Sequence, residues 1–249
     1  MFILGLVGTK LSNYIFNIIN PTMHLQIGNF KTFPVLEADN QKNKIEILVR
    51  SNIELSRLDW DMHETSWDFI NSPLLVNKVN GLLSSTYESY KAEINERFAA
   101  LKSNEEELNR IFIDIYGLQD ELTPEVSDKD ITVAKIFDSK EDIDEDIKGN
   151  KYILTREDVV KNFLSYFIGC VMGRYSLDQE GLVFAGGEFD ASKYKTFPAD
   201  EDGIIPLTDH EYFEDDIVVR LEEFLKATFG EKHLKENLDF IAAELKGKK

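Results

Sequence analysis

Hydrophobic residues recur every three or four positions along most of the chain, which is the period of an amphipathic helix. The clearest stripe begins at Leu83 and continues towards Gly117. Ser103 and Glu106 form a capping-box pattern within it, so the stretch predicts either two helices or one kinked helix. A further helix is predicted from Thr155, and because its apolar residues cover nearly all faces, we expect it to be buried.

Both ends of the chain also carry helical patterns. Residues 1–19 place apolar side chains at helical spacing, and Pro21 ends the pattern. Near the other end, Asp216 precedes a predicted helix that Gly230 ends, and a last helix follows from Leu234 with lysines at its end. The long acidic stretch of residues 120–150 is the best candidate for a domain boundary.

Two earlier stretches have weaker patterns. Residues 25–36 predict an edge strand or an ordered loop, because Pro34 is excluded from a central strand. Residues 37–80 are read as irregular apart from a helix start near Ile45, and a docking linker is expected there. The chain is therefore predicted to be mainly α with minor β.

Composition supports a folded protein without a membrane span. Hydrophobic residues make up 43% and aromatic residues 11% of the 249 residues, which is typical of one large or two smaller globular domains. The longest apolar stretch, residues 163–172, is shorter than the roughly 20 residues of a membrane helix. The single cysteine, Cys170, lies in this stretch, so we expect a buried inert thiol and a cytoplasmic protein.

The formal net charge is −18, which repels the phosphates of nucleic acids. This charge argues against strong nucleic-acid binding by the chain alone. It is equally typical of a well-solvated surface.

No catalytic, cofactor-binding or metal-binding residue is predicted. Residues 20–23 read Asn-Pro-Thr-Met, which lacks the second proline and the aromatic ring that hold a flipped adenine in amino-methyltransferases. Gly186-Gly187 and the Gly5, Gly8 pair are too sparse for a phosphate-binding loop. Residues 142–153 resemble a calcium loop but lack its required ligands. Asp138 and Lys140, with Asp130 upstream, resemble part of a metal-dependent nuclease site, but such triplets are common in an acidic sequence. The histidines His24, His63, His210 and His233 are scattered and lack the spacing of metal ligands.

Three blocks, in order along the chain, resemble the PglX-type DNA methyltransferases of BREX phage-defence systems. The first is SRLDWDMHETSWDF at 56–69, followed by PLL at 73–75. The second runs over 162–182 and includes NFLSY, GC, GRYSL and EGL, and the third is FPADEDGIIP at 197–206. NPT at 20–22, QIGN at 26–29 and FPV at 33–35 are similar to the end of the family's target-recognition region.

The resemblance implies that this chain is the C-terminal portion of such an enzyme. The parent would transfer a methyl group from S-adenosylmethionine to adenine N6 in double-stranded DNA. Its cofactor-binding domain is expected upstream, so no cofactor is expected in this chain and the chain is expected to be inactive alone. The implied partners are the upstream methyltransferase domain, DNA through the parent enzyme and other BREX proteins.

Four ranges are expected on this basis. Residues 1–36 would end the target-recognition region, and 37–80 would form a docking linker with the tryptophan motif. Residues 81–149 would form a helical hairpin with an acidic connector, and 150–249 a C-terminal helical domain.

Seven residues are candidates for binding roles. Two polar side chains near a turn are candidates for contacts with base edges or phosphates, and three basic side chains for contacts with phosphates. These candidates are Gln26, Asn29, Arg57, Lys193 and Lys195. Trp60 and Trp67 are candidates for a docking surface, although the pattern favours anchoring in the core.

Two alternatives stay open. The chain is compatible with a free-standing helical interaction or scaffold protein, or with the tail of a related fused restriction-modification enzyme. A contiguous upstream reading frame with an Asn-Pro-Pro-aromatic motif separates the methyltransferase from the scaffold protein.

Overall fold

The structure is a computed structural model that describes residues 1–245 except 21, 23, 25, 37, 209–212 and 214. The predicted class, mainly α with minor β, is confirmed. Within the described part, no helix is long and apolar enough to cross a membrane. The helices are α1 Phe2–Val7, α2 Lys10–Ile19, α3 Ile27–Lys31, α4 Asp39–Asp61, α5 Pro73–Val76, α6 Leu83–Tyr116, α7 Arg156–Val171, α8 Ile217–Phe229 and α9 Leu234–Leu245, and the strands are β1 Lys135–Phe137 and β2 Ile153–Thr155.

The single helix predicted over residues 1–19 is two helices. Helix α1 ends at Gly8, and Thr9 caps α2 by accepting the backbone N–H of Ser12. A hydroxyl that binds free N–H groups at a helix start favours such a break. Pro21, the expected helix stop, lies outside the described residues.

The edge strand or loop predicted for residues 25–36 is wrong at residues 27–31, which form α3; Leu25 itself is outside the described residues. The side chains of Gln26 and Asn29 form a capping box that stabilises this short helix. The irregular region expected over residues 37–80 is wrong at residues 39–61, because α4 extends over these 23 residues; residues 62–80 are irregular apart from the short helix α5. Its apolar stripe is weak, since Ile47 and Ile53 are exposed while Ile45 and Val49 are buried.

Several helix predictions are confirmed. The stretch from Leu83 is helical, but the capping box predicted at Ser103 and Glu106 is wrong, because both residues lie inside one continuous helix, α6. Thr155 and Asp158 form the capping box of α7, and most of its apolar side chains are buried. Helix α8 begins after Asp216 and ends at Gly230, where φ is +84°. The lysines after α9 lie outside the described residues.

The chain forms two compact units, each built from separate stretches of sequence. The first unit contains 1–58, 96–133 and 146–152, and the second contains 59–95, 134–145 and 153–249. In the first, α1 and α2 bury Leu6 and Leu11 with Ile45 of α4 and Phe112 of α6. The four sequence ranges given above stay a prediction.

The second unit has one large apolar core and a small sheet. Strands β1 and β2 pair in parallel, with Ile136 opposite Leu154, and β2 leads directly into α7. Helix α7 supplies the centre of the core, and residues from α6, α8 and α9 pack around it. The cleft, the Asp138 cluster, Lys193 and Lys195 lie in this second unit, whereas Gln26, Asn29 and Arg57 lie in the first.

Candidate functional site

A cleft of about 220 Å³ lies in the second unit, between the segment that follows α4 and helix α7. It is formed largely by the first and second family-like blocks. Its lining contains both apolar and polar side chains. The lining residues are Met62, His63, Glu64, Thr65, Phe69, Ser72, Pro73, Leu74, Tyr90, Leu154, Val159, Asn162, Phe163, Ser165 and Tyr166.

Three aromatic rings pack together beside this cleft. The rings of Tyr166 and Tyr175 are stacked, with centroids 5.0 Å apart and an interplanar angle of 18°. Phe69 meets Tyr175 edge-on at 5.3 Å. All three side chains are buried, so they hold the first and second blocks together through apolar contact.

Glu64 places a carboxylate beside these rings. Its Oε2 accepts a hydrogen bond from the Tyr175 hydroxyl at 3.3 Å. Burial, reinforced by the Glu64 charge, raises the pKa of Tyr175. The tyrosine therefore stays protonated and donates its hydroxyl proton to the Glu64 side chain.

Cys170 is buried and its pKa is raised to about 12, chiefly by burial. At neutral pH the residue is therefore a thiol and not the thiolate that acts as a nucleophile. The predicted burial of this thiol is confirmed. The chemistry available at this cleft is binding through aromatic faces, hydrogen bonds and one carboxylate.

A second polar cluster surrounds Asp138 at the end of β1. Its carboxylate accepts hydrogen bonds from Lys91 at 2.6 Å, Arg156 at 2.7 Å and the Tyr87 hydroxyl at 3.1 Å. These partners, led by Lys91, lower the pKa of Asp138 to about 2. Lys140, the other nuclease-like residue, pairs instead with Glu157 at 3.8 Å. Asp138 thus joins α6, β1 and α7 electrostatically.

The candidate DNA contacts have different surroundings. In the first unit, the Asn29 side chain accepts the Gln26 N–H at 3.2 Å, so these two residues are brought together by the cap of α3. Arg57 is exposed near the end of α4. In the second unit, Lys193 and Lys195 are exposed in one loop, which Asp178 fixes by accepting the Lys195 N–H at 2.7 Å.

The tryptophans are not core anchors. Trp67 is 102% exposed and Trp60 is 57% exposed, so the favoured prediction of core anchoring is wrong. The core beneath this block uses Phe69 instead, two residues after Trp67. The alternating acids and aromatics did not reveal which ring faces inward, because the segment after α4 is irregular and has no fixed period.

The glycines considered for cofactor binding do not fit that role. Gly5 lies inside α1, where a β-carbon would come within 2.7 Å of Val49, so it serves helix packing. Gly186 and Gly187 lie in a coil far along the chain from either strand. The β2–α7 junction carries Thr155 and Asp158 instead of glycines. Among the described residues, no group of three or more His, Cys, Asp or Glu side chains could hold a metal ion.

No protein-family profile matches the chain. Two curated proteins do. The chain is 43% identical over 251 residues to the adenine-specific methyltransferase PglX of Lacticaseibacillus casei (strain Zhang). This alignment covers 98% of this chain and 19% of that protein. It is 38% identical over 250 residues to the adenine-specific methyltransferase BrxX of Escherichia coli O9:H4 (strain HS). This second alignment covers 98% of this chain and 20% of that protein.

The resemblance to PglX-type methyltransferases is confirmed. It extends over nearly the whole chain, and the chain spans about a fifth of the length of the curated relatives it matches. The family-like blocks contain Glu64, Gly169 and Tyr175, but the sequence alone assigns these residues no role. The Tyr175–Glu64 hydrogen bond joins segments more than 100 residues apart, and the close approach of the Tyr175 ring to Gly169 requires the chain to turn back after α7, so local patterns carry no signal for either contact.

Proposed function

We propose that this chain is the non-catalytic C-terminal portion of an S-adenosylmethionine-dependent methyltransferase that modifies adenine N6 in DNA. The observation that carries the proposal is the match to two adenine-specific methyltransferases over 98% of the chain but only about a fifth of their length. In this proposal the enzyme is cytoplasmic, acts in BREX phage defence, and contains its cofactor site in the remaining part.

The role proposed for this portion is support of DNA target recognition or of assembly with the rest of the enzyme. The ordered aromatic and ionic contacts of the second unit suit a rigid support rather than a reaction centre. For DNA contact we propose Lys193 and Lys195 first. Both side chains are exposed, and each carries its positive charge close to one carboxylate, Lys195 near Asp178 and Lys193 near Asp190. Gln26, Asn29 and Arg57 are proposed as further contacts.

The test compares the intact methyltransferase, the same enzyme without this portion, and this chain alone. We measure S-adenosylmethionine binding by calorimetry and transfer of a tritiated methyl group to duplex DNA. The shortened enzyme should bind the cofactor within about twofold of the intact one. Its methylation should fall by at least about tenfold.

Retained cofactor binding is the control that the catalytic part has folded. The chain alone should bind no cofactor and transfer no methyl group. Methylation by the chain alone would overturn the proposal, and so would full methylation by the shortened enzyme.

A further inference from the structure

Two of the family-like blocks meet at a backbone hydrogen bond. The N–H of Gly181 donates to the carbonyl of Ile70 at 2.9 Å. Gly181 adopts a φ of +70°, and a β-carbon there would lie 3.3 Å from the Phe69 carbonyl oxygen. Both conditions favour glycine, because side chains at other residues are strained at this φ. Glycine at position 181 therefore suits this junction between the segment after α4 and the coil after α7.

The junction carries exposed apolar side chains. Ile70 is 53% exposed, Leu182 is 62% exposed, and Trp67 is fully exposed three residues before Ile70. We call Trp67, Ile70 and Leu182 the junction surface. A single exposed apolar residue is common in proteins, whereas exposed apolar residues on two segments joined by a hydrogen bond are a candidate for an interaction site.

The junction surface rests on the core of the second unit. Phe69, next to Ile70, is buried against Tyr175 at 5.3 Å between ring centroids. Contact with a packed core fixes the backbone before any partner arrives, which lowers the entropy lost on binding. Trp67 adds a large rigid ring, the type of side chain that dominates interface energetics.

Acidic residues accompany the junction surface. Asp68 lies between Trp67 and Ile70 in sequence, Glu180 precedes the junction glycine, and both are exposed. The whole chain carries a net charge of −18. Electrostatic complementarity therefore favours a partner surface in which Lys or Arg side chains surround apolar ones.

We propose that the junction surface docks onto a basic, apolar surface of the remaining, larger part of the same methyltransferase. This inference rests on the proposed function, since the chain spans only about a fifth of its relatives. The apolar contacts of Trp67, Ile70 and Leu182 hold this portion against the rest of the enzyme. Ion pairs of Asp68 and Glu180 with basic side chains of the partner surface orient the two parts.

The test uses the intact methyltransferase with Ile70→Ser or Leu182→Ser. The matched control is Ile47→Ser, because Ile47 is 61% exposed on α4 in the first unit. Limited proteolysis measures how fast this portion is separated from the rest. The two junction variants should be cleaved at least about tenfold faster, and the control should stay within about twofold of the wild type. Equal rates for all three variants would overturn the proposal.

Charge-reversal variants test the role of the acidic residues independently of the apolar ones. Asp68→Lys and Glu180→Lys should also accelerate cleavage, with the larger effect at low salt, and Glu54→Lys on α4 should not. Light scattering tests the alternative partner of the junction surface, which is a second copy of the enzyme. If the junction variants convert a dimer to a monomer without faster cleavage, the surface joins two copies of the enzyme and the proposal fails.

Folding of each variant is checked by its thermal unfolding. In this chain alone, Trp67→Ala should leave the unfolding temperature unchanged, because the ring is fully exposed and makes no contact that stabilises the second unit. Docking and function can fail separately. Faster cleavage of the junction variants, together with full methylation by an enzyme that lacks this portion, would support docking and reject the proposed function.

Discussion

The ring of Tyr175 lies so close to Gly169 that a β-carbon at Gly169 would come within 2.5 Å of the ring. The Tyr175 N–H also donates to the Gly169 carbonyl at 3.2 Å. Gly169 belongs to α7, and Tyr175 follows that helix in the same family-like block. This contact lets Tyr175 stack on Tyr166 and reach Glu64.

Gly169→Ala should destabilise the protein. The added methyl group must displace the buried Tyr175 ring, and such overpacking costs about 1–3 kcal/mol of unfolding free energy, beyond the small gain in helix propensity. Urea denaturation measures the change. Gly28→Ala is the control, because no atom lies within 4 Å of a β-carbon at Gly28 in α3. Equal stabilities of the two variants would contradict the packing of Tyr175.

Asp138→Asn should lower stability at neutral pH. The pKa of Asp138 is lowered to about 2, so its ion pairs stabilise the fold above the ordinary pKa of 3.8 and are lost as pH falls towards 2. The Asp138 side chain is 40% exposed, so screening limits the expected loss at pH 7 to about 1 kcal/mol.

The stability difference between wild type and Asp138→Asn should disappear as pH falls below 3.8 towards 2. Denaturation curves at several pH values measure it. Asp144→Asn, at an exposed position nearby in sequence, is the control and should show no such dependence. A pH-independent difference for Asp138→Asn would show that the ion pairs do not act as described.

Glu105→Gln should remove part of the pH dependence of the first unit. Burial, together with the charge of Asp130, raises the pKa of Glu105 to about 7. The folded state therefore favours the protonated acid, and its stabilising contribution is lost as pH rises from the ordinary value of 4.5 through 7. The loss between pH 5 and pH 8 is about 1–3 kcal/mol for wild type and absent for Glu105→Gln. Parallel profiles for the two proteins, measured by urea denaturation, would reject this assignment.

Lys193→Ala and Lys195→Ala should weaken binding of the intact enzyme to duplex DNA at all sequences. If each lysine contacts one phosphate, each variant reduces the slope of log K against log salt by about 0.9. Fluorescence anisotropy over a range of salt concentrations measures the slope. Lys42→Ala on α4 is the control. An unchanged slope for both loop variants would exclude these phosphate contacts.

Helices with a strong apolar stripe or a strong cap were predictable from local sequence. The capping box of Thr155 and Asp158 located the start of α7, and Gly230 located the end of α8. A helix start near Ile45 was predicted, but the full extent of α4 was missed because its buried face is formed by few residues, among them Ile45 and Val49. Its stability comes from packing against other elements, and such packing has no local periodicity to detect.

The sequence by itself determined the mainly helical class and the resemblance to PglX-type methyltransferases. These depend on composition, short-range periodicity and residue identity, which can be read along the chain. Only the tertiary structure decided that Trp67 is exposed, that Tyr175 reaches Glu64, and that Gly181 meets Ile70. The physical reason is that burial and pairing depend on segments distant in sequence, so the same motif can face the core or the solvent until its partners are in place.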